Sequence, residues 1–167
     1  IGFADTRIDA PYNDPTFEIW GLNDLHSQLP RFDRWFDIHD RDNIDEDVRL
    51  GRAPADMCGL GGLSKLNVPV YMQDHYPDQP NSVKFPINEI KAAFPYGTYM
   101  TNSVSIMIAL AIYEGYQEIH VYGVDMAVGT EYVNQRPSCE YWLGVAAGKG
   151  IKIYIPPASD LLKTHYM

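Results

Sequence analysis

Apolar runs of helical length and of strand length alternate through the C-terminal half of the chain, and this alternation constrains the fold most. A helix that is apolar on nearly every face is predicted over 103–114, with Gly115 as its end, and a strand follows over 118–124. A second helix over 138–148 leads into a strand over 151–155. Strands joined through a helix run parallel, and parallel sheets are covered by helices. We therefore expect an α/β fold.

Shorter apolar runs in the N-terminal half add strands to this sheet. The pattern predicts strands over 17–22, 34–39 and 68–72, weaker helices over 24–29 and 87–93, and at Ile1 to Phe3 the end of a strand that begins before Ile1. A chain of 167 residues has the length of one domain. The prediction is a single domain over 1–167, with a mainly parallel sheet of about six strands and helices on both faces.

The charge balance and composition limit the partners and the compartment. The chain has 13 basic and 22 acidic residues and a formal net charge of −9, which disfavours sequence-independent binding of DNA or RNA. Its longest apolar stretch, 104–113, is too short to span a bilayer, and no charged and apolar leader precedes it. Cys58 and Cys139 match no metal-ligand spacing. We expect free thiols, no membrane partner and a cytoplasmic location.

Polar residues follow four of the predicted strands, at the edge of the sheet where α/β proteins bind ligands. The four segments are 2–7 with Gly2, Asp5, Thr6 and Arg7, 21–24 with Asn23, 39–40 with His39, and 123–125 with Asp125. If these strands are parallel neighbours, the segments share one rim and form a binding site. Each residue type also has a structural alternative: a helix cap at Asn23, a hydrogen-bonded and partly buried ring at His39, a turn cap at Asp125, and a surface cation at Arg7.

A turn of small polar residues begins the predicted helix over 103–114. The first N–H groups of a helix lack intrahelical partners, so this end of a helix attracts anions. We therefore predict phosphate binding by Thr101, Asn102 and Ser103. Helix capping alone is the alternative.

The loop between Asp125 and the helix over 138–148 lies at the same predicted rim. It supplies Tyr132 and Arg136, whose hydroxyl group and planar guanidinium suit a phosphate or diphosphate. We predict a lid that contacts the nucleotide, with an ordinary surface loop as the alternative.

No metal site is predicted from spacing. The acidic residues within 40–47 are typical of a solvated loop, and Gly59 to Gly62 lacks the lysine that a phosphate-binding P-loop requires. The sequence has no HExxH motif, no paired-cysteine metal site and no Ser-His-Asp order.

The run from Met100 to Asp125 resembles the core of family 42 sialyltransferases, which are bacterial enzymes that transfer sialic acid from CMP-sialic acid. The run is also similar to archaeal 6-hydroxymethyl-dihydropterin pyrophosphokinases, in its small-residue turn, apolar helix, Gly-Tyr-x-Glu-Ile and Gly-Val-Asp. The tail from Gly150 to Leu162 is similar to the last strand of both families. The succession of EIWGLND and RFDRWFDIHD resembles small bacteriophage proteins that are labelled glycosyltransferase-like.

The resemblance implies a Rossmann-like nucleotide-binding fold and assigns roles to particular positions. It implies that the turn from Gly2 to Thr6, with Asp5, and the turn from Thr101 to Ser103 contact nucleotide or phosphate. Asn23 lies where the sialyltransferases have an asparagine that contacts the nucleotide, and the resemblance implies that Tyr132 is a phosphate-binding tyrosine of the lid. A phage origin would place the chain in the cytoplasm of the host.

Together these patterns predict a nucleotide-dependent group transferase, with a glycosyltransferase that uses a nucleotide-activated sugar as the leading hypothesis. The turn 101–103 and Arg136 would hold the leaving phosphate, and Asn23 would orient the base or ribose of the donor. Asp125 or His39 would be the general base for the acceptor hydroxyl. The acceptor stays open, and a hydroxymethylated pyrimidine of phage DNA is one candidate.

Two alternative functions stay open. The first is an ATP-dependent pyrophosphokinase-like enzyme, in which Asp125 with Asp24 or Asp40 would hold magnesium, the one cofactor under consideration. The second is a non-catalytic protein that sequesters a nucleotide or a nucleotide-derived signal. The oligomeric state also stays open, and an exposed tryptophan among Trp20, Trp35 and Trp142 would mark an interface.

Overall fold

The computed structural model describes residues 1–42, 46, 49–51, 62–126 and 131–163, with the backbone alone at 131 and 132. The chain divides into two compact units. The central unit is Pro11–Phe85, and the terminal unit combines Ile1–Ala10 with Pro86–Met167. The single domain over 1–167 stays a prediction.

The central unit is built on a sheet of four short parallel strands that lie side by side in chain order. These strands are β1 (Trp20–Leu22), β2 (Arg34–Phe36), β3 (Val70–Met72) and β4 (Ser82–Lys84). The first three lie within strands predicted from the sequence. The sequence did not predict β4, because Ser-Val-Lys has no apolar pattern, and pairing with β3 defines this strand.

The terminal unit contains a parallel pair of strands and the longer helices. Its elements are α1 (Ile87–Ala93), α2 (Ser103–Glu114), β5 (Glu118–His120), α3 (Arg136–Gly148) and β6 (Lys152–Tyr154). The predicted bounds of α1 and α2 are confirmed, and α3 begins two residues before its predicted start. Gly115 ends α2 with a left-handed φ of 82°. In the described part of the chain, no helix is long and apolar enough to cross a membrane.

The prediction of an α/β fold with parallel strands is confirmed, but one sheet of about six strands is wrong. The strands form one sheet of four and one sheet of two. Residues 1–3 form no strand. Only two backbone hydrogen bonds join the N-terminal segment to the described chain after β5. Gly2 N–H donates to Tyr122 O and Ala4 N–H donates to Gly123 O, both at 2.8 Å. The helix predicted over 24–29 is a short 3₁₀ turn, Leu25–Ser27.

Each unit has its own apolar core. In the central unit Trp35 and Phe36 are fully buried. Trp35 packs onto Gly21 of β1, where a Cβ atom would lie 2.1 Å from the indole ring. In the terminal unit Leu110 and Trp142 are fully buried between the helices and the strand pair. Because Trp35 and Trp142 are enclosed, neither marks the interface that was predicted for an exposed tryptophan.

The thiol of Cys139 is free, buried and protonated. Burial raises the pKa of Cys139 to about 12. A thiol with such a pKa is a poor nucleophile at neutral pH, so Cys139 is a structural residue. Cys58 lies outside the described residues.

We expect Gly144→Ala to stabilise the protein. Gly144 is exposed inside α3, and a Cβ atom there would have no neighbour within 4 Å. Alanine favours the interior of a helix over glycine by about 1 kcal/mol, so Tm should rise by about 2–4 °C in thermal unfolding followed by circular dichroism. The matched variant Gly21→Ala should lower Tm, because its Cβ atom overlaps the Trp35 ring. Equal Tm values in the two variants would contradict this account of the packing.

Candidate functional site

The carboxyl ends of β1 and β2 bring polar side chains to one edge of the central sheet. Asn23 follows β1, and Asp37 and His39 follow β2. Since β1 and β2 are parallel neighbours, their carboxyl ends lie at the same edge. Ligands of α/β proteins bind at this edge. The structure therefore places the predicted residues Asn23 and His39 on one rim of the central unit.

Asn23 joins the two strand ends through its backbone. Its N–H donates to Phe36 O at 2.9 Å, and its carbonyl oxygen accepts from the indole N–H of Trp35 at 2.8 Å. Its φ of 53° is left-handed, a conformation that asparagine adopts more readily than most residues. The side-chain Oδ1 is enclosed and has no hydrogen-bond partner among the described residues. Contact of Asn23 with a nucleotide stays a prediction.

Asp37 and His39 form a hydrogen-bonded pair. The Asp37 side chain is 2% exposed, and its Oδ1 lies 2.7 Å from Nδ1 of His39, whose side chain is 44% exposed. A carboxylate accepts and does not donate, so Nδ1 carries the proton and Nε2 of the neutral ring is the accepting nitrogen. A carboxylate that orients an imidazole in this way is a common feature of general bases.

The charges around His39 raise its pKa. The hydrogen bond to Asp37 is the largest cause, and the negative charges of Asp37 and Asp24 add to it, whereas partial burial acts in the opposite direction. These interactions stabilise the imidazolium form. His39 is therefore a stronger base than an isolated histidine.

The segment that carries the pair is tied to the loop between β3 and β4. Arg41 is 8% exposed, and both of its terminal guanidinium nitrogens donate to the carboxylate of Asp78. Its guanidinium carbon lies 4.6 Å from the centre of the Tyr76 ring. Gln73 Nε2 donates to Ile38 O at 3.1 Å. Because a bidentate ion pair is directional, these contacts fix the backbone on both sides of His39.

Sequence reasoning missed Asp37, Arg41 and Gln73. The sequence could have indicated Asp37, because residues two apart in an extended segment lie on one face and His39 was already a candidate. No such indication exists for Arg41, because its partner Asp78 lies 37 positions away and no local pattern connects them.

Asp125 follows β5 in the terminal unit and has an enclosed carboxyl oxygen. Its Oδ1 has no hydrogen-bond partner within the part of the chain that is described. Burial raises the pKa of Asp125, and the negative charges of Asp160 and Asp5 raise it further, while Lys163 opposes them. A carboxyl group in these surroundings ionises less readily than an exposed one.

Small residues pack the N-terminal turn against the chain after β5. A Cβ atom at Gly2 would lie 2.4 Å from Gly123 O. Thr6 is buried, and its Oγ1 accepts the N–H of Gly123 at 2.8 Å. Arg7 turns back towards its own turn, with its guanidinium 3.8 Å from the exposed carboxylate of Asp5. The structure thus brings Gly2, Asp5, Thr6 and Arg7 together, and their contact with a nucleotide stays a prediction.

The start of α2 is capped by Asn102 and joined to the start of α3. Asn102 Oδ1 accepts the Ser105 N–H at 3.0 Å, and the two residues form a capping box. Asn102 Nδ2 donates to Ser138 Oγ at 3.2 Å, and Thr101 Oγ1 lies 2.7 Å from that same oxygen. Capping by Asn102 is therefore confirmed. Phosphate binding by Thr101, Asn102 and Ser103 stays a prediction.

Arg136 begins α3, and its guanidinium is bound by the protein itself. Its Nε donates to Glu140 at 2.7 Å, its Nη2 to Lys163 O at 2.9 Å and its Nη1 to Met126 O at 3.5 Å. The Arg136 side chain is 13% exposed. A diphosphate would compete with these acceptors for the guanidinium. The side chain of Tyr132 lies outside the described residues.

Across the described ranges, no group of three or more His, Cys, Asp or Glu side chains is arranged to hold a metal ion. Asp125 belongs to the terminal unit, whereas Asp24 and Asp40 belong to the central unit. The acidic run at 40–47 lies partly outside the described residues, and residues 59–61 lie wholly outside them. Magnesium binding stays a prediction of the pyrophosphokinase alternative.

Comparison of the chain with protein-family models, with curated proteins and with solved structures found no match. The similarity to family 42 sialyltransferases and to pterin pyrophosphokinases therefore stays a prediction.

We expect Asp37→Asn to lower the pKa of His39 towards its ordinary value of 6.5, because an amide is a weaker acceptor and carries no charge. The midpoint can be measured by NMR of the imidazole nitrogens from about pH 5 to about pH 8. His75→Gln is the matched control, because His75 hydrogen-bonds to Ser82 in the same unit and should leave the midpoint unchanged. An unchanged midpoint in Asp37→Asn would refute the pairing.

The same shift makes stability depend on pH. Because the folded pKa of His39 is raised, the contribution is fully present below pH 6.5, the unfolded value, and is lost as pH rises through the folded value. The free energy of unfolding in urea should therefore fall over this window more steeply for the wild type than for His39→Gln. A constant difference between the two proteins across the window would contradict the shift.

Proposed function

We propose that the chain is a nucleotide-dependent group transferase, and specifically a glycosyltransferase that uses a nucleotide-activated sugar. The Asp37–His39 pair carries this proposal, because it provides a proton acceptor at the carboxyl ends of parallel strands. Transfer to a hydroxyl group benefits from such a base, and α/β proteins bind their ligands at this edge.

His39 suits the role of general base better than Asp125, the other residue predicted for it. Nδ1 of His39 is bonded to Asp37, so Nε2 is the nitrogen that would contact the acceptor hydroxyl. The His39 side chain is 44% exposed. Asp125 has one of its two carboxyl oxygens enclosed. The raised pKa of His39 also favours proton uptake near neutral pH.

In the proposed reaction the acceptor hydroxyl donates a hydrogen bond to Nε2 of His39. The acceptor oxygen bonds to the anomeric carbon of the sugar while the bond from that carbon to the phosphate oxygen breaks. The hydroxyl proton passes to Nε2, and the carboxylate of Asp37 stabilises the imidazolium that forms. The electron pair of the broken bond stays with the nucleoside phosphate, which leaves as an anion.

The terminal unit, taken by itself, also has a feature that favours phosphate binding, at the start of α2. α2 has 12 residues, and the N–H groups of Ser103 and Val104 belong to the first turn, which lacks intrahelical acceptors. The positive end of the helix dipole lies there, and no acidic side chain in the first turn neutralises it. Because Asn102 and Thr101 are bonded within the protein, we assign this role to backbone N–H groups. Within the central unit, Asn23 on the same rim as the Asp37–His39 pair is the proposed contact for the base or ribose.

A thermal-shift panel tests the donor. It contains the CMP, UDP, GDP and ADP forms of nucleotides and nucleotide sugars, and ATP, each with and without magnesium. A ligand at a hundred times its Kd adds about 2.7 kcal/mol, which raises Tm by several degrees. We expect one nucleotide sugar to give this shift. A shift with ATP and magnesium alone would favour the pyrophosphokinase alternative, and no shift in the whole panel would overturn nucleotide binding.

Catalysis is tested with the donor found in that panel and a set of hydroxyl acceptors that includes DNA with hydroxymethylated pyrimidines. We expect His39→Gln to lower kcat by about 10²–10⁴ while the donor-induced thermal shift persists, because the base acts on the acceptor. His75→Gln should keep wild-type turnover. Equal turnover in both variants would exclude His39 as the base, and donor binding without turnover in the wild type would favour a sequestering protein.

A further inference from the structure

Within the described ranges, no backbone group is paired with the edge of β6 that faces away from β5. Lys152 N–H donates to Gln117 O, and Val121 N–H donates to Tyr154 O, both at 2.9 Å, so the peptide groups of Lys152 and Tyr154 point towards β5. Alternate residues of a strand point to opposite edges, so Ile153 directs its N–H and C=O away from β5. The sheets of the described chain place no strand on that side.

Residues 151–155 are symmetric in character about Ile153. The segment reads Ile-Lys-Ile-Tyr-Ile, with an isoleucine at each end and at the centre. If two copies of β6 pair antiparallel about Ile153, the two Ile153 residues exchange both of their backbone hydrogen bonds. Lys152 then lies opposite Tyr154 of the second copy, twice by symmetry, and Ile151 lies opposite Ile155. A two-fold interface requires this kind of self-complementary surface.

The side chains at this edge combine a cation with an aromatic ring, which attract each other. Lys152 and Tyr154 lie on the same face of β6, both are exposed, and Tyr154 is 41% exposed. Pairing places an ammonium group against an aromatic ring in both halves, and no like charges face each other. Glu118 and His120 of β5 flank this row in register with Lys152 and Tyr154. Exposed strand edges rich in isoleucine otherwise invite irregular association.

We infer that the chain forms a two-fold dimer through antiparallel pairing of β6 with β6 of a second copy. The two strand pairs then form one sheet of four strands with β6 at its centre. An interface of this length belongs to the small, weak class, so the fraction of dimer should depend on protein concentration. This inference is independent of the proposed function.

Sedimentation velocity from about 1 µM to about 500 µM tests the dimer. The wild type should pass from the monomer mass of 18.9 kDa to twice that mass as its concentration rises. Tyr154→Lys should stay monomeric, because it places Lys152 opposite a second ammonium group in both halves. Adding Lys152→Glu to that variant should restore the dimer, because a carboxylate then faces each introduced ammonium group.

Tyr113→Lys is the matched control, because Tyr113 is 44% exposed on α2 and lies away from β6 in sequence. It should dimerise like the wild type, and circular dichroism should show the same fold in all four proteins. The proposal is overturned if the wild type stays monomeric at every concentration. It is also overturned if Tyr154→Lys dimerises, if the double variant does not, or if Tyr113→Lys abolishes association.

Discussion

The Asp37 side chain is only 2% exposed, so its carboxylate needs hydrogen-bond partners within the protein. This requirement determines how the candidate site of the central unit is arranged. A buried carboxylate without partners would destabilise the fold by several kcal/mol. His39 Nδ1 meets this need at 2.7 Å, and the backbone N–H of Asp37 donates to Tyr71 O at 2.9 Å. The same contacts that satisfy Asp37 therefore orient His39, extend the pairing of β2 with β3, and leave Nε2 as the basic nitrogen.

The terminal unit uses its polar side chains in a different way. Asn102 caps α2, Thr6 accepts the N–H of Gly123, and Arg136 donates to Glu140 and to two carbonyl oxygens. These residue types can bind a phosphate or form hydrogen bonds with backbone groups equally well, because both roles use the same side-chain donors and acceptors. Where the side chains are bonded within the protein, the proposed phosphate binding depends on the backbone N–H groups of the first helical turn.

The helices of the terminal unit were the most predictable elements. The start and the end of α2 depend on Asn102 and Gly115, which directly flank the helix in sequence. Strand bounds were predicted too long, because an apolar run continues beyond the residues that pair. β4 was missed for the opposite reason, since its pairing with β3 requires no apolar pattern at Ser82–Lys84.

The sequence by itself determined the α/β class, the parallel direction of the strands, the bounds of α1 and α2, and the candidacy of Asn23 and His39. These features depend on periodicity, caps and turn residues, which act over a few neighbouring positions. Tertiary structure alone decided that the strands divide into two sheets, that Asp37 orients His39, and that Arg41 binds Asp78 across 37 positions. The reason is physical: a buried charge takes whichever partner the folded chain brings within hydrogen-bond distance, and local sequence does not encode that distance.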